Sequence, residues 1–171
     1  ARYLVEKLNG FQVSTGDMLR NEIQNNTEIG KLIINDMNDG KFVNDEIVDK
    51  LIDKAISDPL KKNKLIFDGY PRSIKQAENL DLLLGNSNQK INFIFFLNVN
   101  KETIIKRIEK RKILEKRSDD DLDTFIKRYD TYMETTKPIL DFYSKNFNFH
   151  EIDGSSKIEE ITAKIDSFIN V

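Results

Sequence analysis

The chain has 171 residues, enough for one α/β domain with its own hydrophobic core. Its 27 basic and 29 acidic side chains leave a formal net charge of −2, which argues against a general nucleic-acid binder. Cysteine is absent and histidine occurs once, which excludes disulfides, thiolate nucleophiles and a cysteine- or histidine-ligated zinc centre.

The longest apolar stretch, Ile91 to Val99, is interrupted by asparagine and is about half the length of a membrane-crossing helix. No basic and apolar leader opens the sequence, so a soluble, cytoplasmic protein with no membrane partner is expected.

In chain order, Phe11-Gln12-Val13 reads as a short strand. Two helical segments follow, Asp17 to Gln24 and Lys31 to Met37, which together suit a small helical insertion. Asp45 to Ile56 places Ile47, Val48, Leu51, Ile52, Ala55 and Ile56 on one helical face, with Asn44 as N-cap. A second strand at Lys64 to Phe67 leads to a helix over Ser73 to Leu84.

Ile91 to Leu97 is apolar almost throughout, as in a strand covered on both faces, and should lie near the sheet centre. Helical spacing returns over Lys101 to Lys112 and over Asp119 to Lys145, the second kinked or divided at Pro138. Phe147 to Ile152 is the last strand, and Ile158, Ile161, Ile165 and Phe168 mark a closing helix over Lys157 to Asn170. Strands alternating with helices predict a doubly wound, parallel α/β fold. His150 alternates with Phe147 and Phe149 in the last strand and is read as a core or strand-surface residue with no catalytic role.

Two segments carry chemistry. Ser14-Thr-Gly-Asp-Met-Leu-Arg20 lies where a strand gives way to a helix, so backbone N–H groups and Arg20 there can hold an anion. A helix cap followed by a solvated arginine accounts for the same residues. Phe67-Asp-Gly-Tyr-Pro-Arg72 follows a strand and precedes a helix, which puts Asp68 and Arg72 at the carboxyl end of the sheet, where ligands of α/β proteins bind. The plainer alternative is a turn built on Gly69 and Pro71. The basic run from Lys106 to Lys112, continued by Lys116 and Arg117, is open to three readings: a phosphate clamp, a solvated helix end or a nucleic-acid patch. The last is opposed by Asp119, Asp120 and Asp121 and by the lack of interleaved aromatics.

Taken together, the two motifs resemble the adenylate kinase family, the first its AMP-site segment and the second its D-G-[FY]-P-R segment. The resemblance continues through Asp39-Gly-Lys-Phe-Val43, Arg117-Ser-Asp-Asp120 and Asp153-Gly154 and so covers essentially the whole chain. It implies a P-loop kinase fold with a helical AMP-binding insertion at about residues 14–43 and a short lid at about 112–119. By the same resemblance Thr15 and Gln76 read the adenine of AMP, Val43 lines its pocket, Gly16 and Gly69 belong to the site, and Arg20 and Arg72 hold the phosphate. A glutamine amide matches adenine's donor and acceptor edge. Arg107, Arg111 and Ser156 are implied to bind ATP. Arg72, Arg111, Arg117 and Arg128 are implied to surround the transferring phosphoryl group, with Asp119 and Asp120 supporting the lid arginines.

Asp68 is implied to hold Mg²⁺ through water. The ten positions from Arg107 to Arg117 leave no room for a long or zinc-bearing lid. The reaction expected is ATP plus AMP to two ADP in a monomer, with ATP, AMP and ADP as its partners and no nucleic acid. Weighed against it are a UMP/CMP-type kinase, which the Ser-Thr-Gly-Asp segment and Gln76 disfavour, and a non-catalytic nucleotide-binding protein. The last arises because no G-x-x-x-x-G-K-[ST] occurs within the 171 residues. The resemblance places that loop just before Ala1, and roughly 15 to 20 further N-terminal residues are expected to carry it, with a strand that pairs between those ending near Phe67 and Leu97.

Overall fold

The computed structural model describes residues 1–58, 64–115, 122–145 and 148–169. The described chain begins with α1 (Arg2–Leu8), β1 (Phe11–Ser14), α2 (Thr15–Gln24), α3 (Glu28–Asn38), α4 (Asp45–Ser57) and β2 (Leu65–Asp68). It continues through α5 (Ile74–Asn86), β3 (Ile94–Asn98), α6 (Lys101–Glu115), α7 (Leu122–Thr131), α8 (Lys137–Ser144), β4 (Phe149–Asp153) and α9 (Ile158–Ile169). The result is a mixed α/β chain with parallel strands, the class its sequence predicts.

Local chemistry sets the helix starts. Ser14 Oγ accepts the Asp17 N–H at 3.3 Å, Asn44 Oδ1 the Glu46 N–H at 2.7 Å and Ser73 Oγ the Gln76 N–H at 3.2 Å. Each side chain thereby satisfies a donor that the first helical turn leaves without a partner. Thr27 does the same for Gly30 at 3.0 Å, so α3 starts three residues before the predicted Lys31. The long helix predicted from Asp119 is divided, but just ahead of Pro138. A π-turn over Tyr132–Thr136 joins α7 to α8, and Pro138 lies in the first turn of α8. Proline has no N–H to give the carbonyl one turn back, and the wider turn absorbs that mismatch.

β1 pairs with β2 and β3 with β4, both in parallel, with Ser14 opposite Asp68 and Asn98 opposite Asp153. Among the described residues these are two separate two-stranded sheets. β3 spans 94–98 and is half-buried among the described residues, leaving Leu97 46% exposed where composition predicts cover on both faces.

The larger core lies against β1 and β2. Val13, Leu19, Ile33, Val43, Tyr70, Leu80, Leu84 and five residues of α4 are buried together there, Ile52 fully. A smaller cluster of Ala77, Ile139 and Tyr143 packs with Ile94 and Phe149 of the other strand pair. His150 stacks on Phe168 at 3.9 Å between ring centroids and on Phe95 at 5.7 Å, a structural position. Among the described residues no helix is long and apolar enough to cross a membrane.

Candidate functional site

The parallel register of β1 and β2 brings both motifs to one end of that sheet, because Ser14 and Asp68 are opposite each other. Beyond Asp68 the chain turns through Gly69, whose φ of +68° is a left-handed conformation that side chains resist. A Cβ at Gly69 would also stand 2.9 Å from an Arg72 guanidinium nitrogen, so a larger residue there would push that side chain aside.

The Gly69 carbonyl is the hub of the site. It accepts from Thr15 Oγ1 at 3.1 Å and from Arg72 Nε at 2.8 Å, using both lone pairs and tying the start of α2 to the loop before α5. Thr15 is buried. Arg20 folds back over the first turn of α2, its guanidinium nitrogens 3.1 and 3.3 Å from where a Gly16 Cβ would be, and pairs with Asp17 at 2.5 Å. Helix N–H groups and a guanidinium thus share one place, the arrangement that attracts an anion.

Arg72 is open to solvent on one side and crowded by protein on others. Its guanidinium lies 5.6 Å from the Phe42 ring centre, and its carbonyl accepts from Thr136 Oγ1 at 3.0 Å. Its pKa is held below the ordinary arginine value, first by desolvation, then by the like charge of Arg128 and, more weakly, of Arg20, with Asp68 opposing. An arginine keeps its proton under such shifts, so the repulsion remains as a field that a bound anion relieves. Arg20, Arg72 and Arg128 come from three separate segments, and the fold brings the other two within electrostatic reach of Arg72.

Gln76 is 4% exposed, and its amide is used at both ends. Oε1 accepts the Arg72 N–H at 2.8 Å, and Nε2 donates to Asp45 Oδ1 at 2.6 Å. Val43 is buried in the larger core close to this loop. Tyr70, whose hydroxyl donates to Asp49 at 3.1 Å, is pushed well above its ordinary pKa by burial and then by the Asp49 charge, so it stays neutral.

Asp68 is exposed at the end of β2, and Gln12 Nε2 donates to its Oδ2 at 2.8 Å. A single accessible carboxylate fits Mg²⁺ held through water, since that ion gives up its hydration shell reluctantly.

At the other strand pair, an Arg107 guanidinium nitrogen donates to the Gly154 carbonyl at 2.6 Å, fastening α6 to the turn before α9. Ser156 lies in the same turn, its hydroxyl 3.4 Å from Asp153 Oδ2. Arg111 is further along α6. Arg117, Asp119 and Asp120, with much of the expected lid, lie outside the described residues.

The sequence alone did not single out Asp45, Gln12, Phe42 or Thr136 as parts of this site. Gln12 had a signal: in a parallel pair it opposes Ile66, so it shares a face with Asp68 two residues on. Asp45 and Thr136 had none, because their partners are 31 and 64 residues away in sequence.

A family model described as adenylate kinase matches residues 1–148. The chain is 43% identical to an adenylate kinase of Pelagibacter ubique (strain HTCC1062) over 197 residues, covering 100% of this chain and 92% of that protein. It is 38% identical over 179 residues to one of Mycoplasma capricolum subsp. capricolum, covering 89% and 83% of the two chains. A third match, 36% over 171 residues, is to an adenylate kinase of Caulobacter sp. (strain K31), with 100% and 90% covered. With most of its length inside that family model and relatives of such identity matched nearly end to end, the chain belongs to the adenylate kinase family.

Proposed function

We propose that this enzyme transfers a phosphoryl group reversibly between ATP and AMP, giving two ADP, and that AMP is the acceptor held at the end of β1 and β2. The observation that carries the site assignment is the Gly69 carbonyl, which ties Thr15 at the start of α2 to Arg72, with Arg20 folded over Gly16 in the same turn.

In this reading Arg20 and Arg72 grip the AMP phosphate through charge-assisted hydrogen bonds. Thr15, Gly16 and Gly69 shape the pocket around it, Val43 lines it, and Gln76 reads the adenine edge. Because both amide ends of Gln76 are already bonded, it must do so with its remaining hydrogen and lone pair. Arg107, Arg111 and Ser156 bind ATP. Arg111 and Arg128, with Arg117, face the charge that develops on the moving phosphoryl group, and preorganised guanidinium groups lower that barrier without reorganising. Asp119 and Asp120 support the arginines of a short lid at about 112–119, and the helical insertion spans about 14–43.

Asp68 would hold Mg²⁺ through water, and when bound with ATP that ion supplies charge neutralisation at the donor phosphates. The enzyme works as a cytoplasmic monomer whose ligands are ATP, AMP and ADP. The test is ADP formation by the natural protein from ATP and Mg²⁺ with AMP, CMP or UMP. Rapid turnover selective for AMP is expected; equal or faster turnover with CMP or UMP would refute the acceptor assignment.

A further inference from the structure

The geometry around Gln76 points to a residue that sets acceptor specificity without touching the acceptor. A backbone N–H only donates, and a carboxylate only accepts. Gln76 lies between one of each, the Arg72 N–H at 2.8 Å and Asp45 Oδ1 at 2.6 Å, so its amide fits one way round and not the other. What remains for a ligand is one N–H and one lone pair, in an order fixed by the two protein partners. Adenine presents an acceptor, N1, beside a donor, the N6 amino group; uracil presents N3–H beside the O4 acceptor, the reverse order.

We infer that Asp45 is a positioning residue: by anchoring Gln76 Nε2 it holds the amide in the orientation that accepts adenine and disfavours uracil. Asp45 suits this work because it begins α4, whose start is capped by Asn44 and whose inner face is part of the larger core. Its other oxygen is 4.0 Å from the Lys75 ammonium, so the carboxylate is steadied from two sides. The inference rests on the reading of Gln76 as the adenine contact.

Asp45 also lies in the first turn of α4, where a negative charge favours the helix in any case. The experiment must separate the two roles. AMP and UMP dissociation constants are measured by calorimetry on the parent chain, Asp45→Ala, Asp45→Asn, Gln76→Ala and the Asp45→Ala/Gln76→Ala double variant, with melting temperatures alongside. Asparagine keeps an oxygen for Gln76 and loses the charge, so both Asp45 variants should lower the melting temperature through the helix start, with a further loss in Asp45→Ala from the unpaired Gln76 amide.

Asp45→Ala is expected to weaken AMP about five- to tenfold, the scale of one hydrogen bond, and to leave UMP within about twofold. Asp45→Asn should stay within about twofold of the parent for AMP. In the Gln76→Ala background, Asp45→Ala should add nothing. Equal losses of AMP affinity in both Asp45 variants, or an undiminished Asp45→Ala effect when Gln76 is absent, would overturn the inference while leaving Gln76 as the adenine contact. If the parent chain binds no AMP, or if Gln76→Ala binds it as tightly as the parent, the acceptor reading itself fails and the inference falls with it.

Discussion

Among the described residues, twelve side chains are buried in one cluster around β1 and β2, the corresponding cluster around β3 and β4 has three, and no residue from 101 to 114 on α6 is buried. The acceptor-side groups sit on the well-packed half. Thr15, Arg72 and Gln76 are bonded to one another's backbone or to Gly69 within a few residues of that core. On the other half, Arg107 is fixed by its bond to Gly154, and Ile113 and Leu114 near the end of α6 are 77% and 69% exposed. Packing energy therefore holds Thr15, Arg72 and Gln76, the groups proposed to take the acceptor, in place before any ligand arrives, whereas α6 has little burial to hold it. Elements with little buried apolar surface open at lower free-energy cost.

The largest expected effect sharpens this contrast directly. Ile52→Ala, at a position with no exposure, should cost about 2 to 5 kcal/mol in denaturant unfolding, because apolar burial is forfeited and a cavity is left behind. Ile113→Ala on α6 should stay within about 0.5 kcal/mol. Similar destabilisation at the two sites would break the comparison.

Next is Arg72→Ala. It removes the guanidinium proposed to grip the AMP phosphate and should slow AMP-dependent turnover on the order of 10² to 10³. The Arg72 Nε–H donates to the Gly69 carbonyl, so the loss of stability should be on the scale of one hydrogen bond, about 1 kcal/mol. A variant that unfolds, or one with near-normal turnover, would contradict the assignment.

Tyr143 gives a smaller effect. Its hydroxyl is buried without a hydrogen-bond partner among the described residues, and burial, with the Asp81 charge behind it, raises its pKa. Tyr143→Phe should therefore be neutral or stabilising by up to about 1 kcal/mol, read from the chemical denaturation midpoint.

The smallest effect is at the surface. Lys7 and then Tyr3 bond the Asp166 carboxylate, joining α1 to α9 and holding its pKa below the ordinary 3.8. A depressed carboxyl pKa contributes stability that is full above the unfolded value and lost as pH falls through the folded one. The melting temperatures of the parent and Asp166→Asn should differ slightly near pH 7 and converge as pH falls through the lowered Asp166 pKa.

Much of this was legible in the sequence because it is local. Asn44 as a cap, the apolar face of α4 and the turn between Asp68 and Arg72 depend on residues a few positions apart, and each is found as predicted. The division ahead of Pro138 was legible as a break but not as a π-turn, since the identity of the widened turn depends on how α7 and α8 pack. For β3, composition predicted burial on both faces, but burial depends on neighbouring strands, and the Phe and Leu side chains of 94–98 are only half-covered. Arg20, Arg72 and Arg128 could be named one by one from the family resemblance. That Gln76 spends half its amide on Asp45 and Arg72 depends on three-dimensional proximity and was not visible.

The most direct test of the preformed acceptor site is calorimetric titration of AMP, without ATP, into the parent chain, Arg72→Ala and Arg107→Ala. A preformed site requires that Arg72→Ala weaken AMP at least about tenfold, the scale of one charge-assisted hydrogen bond, while Arg107→Ala leaves it within about twofold. Equal weakening in the two variants, or more from Arg107→Ala, would contradict it.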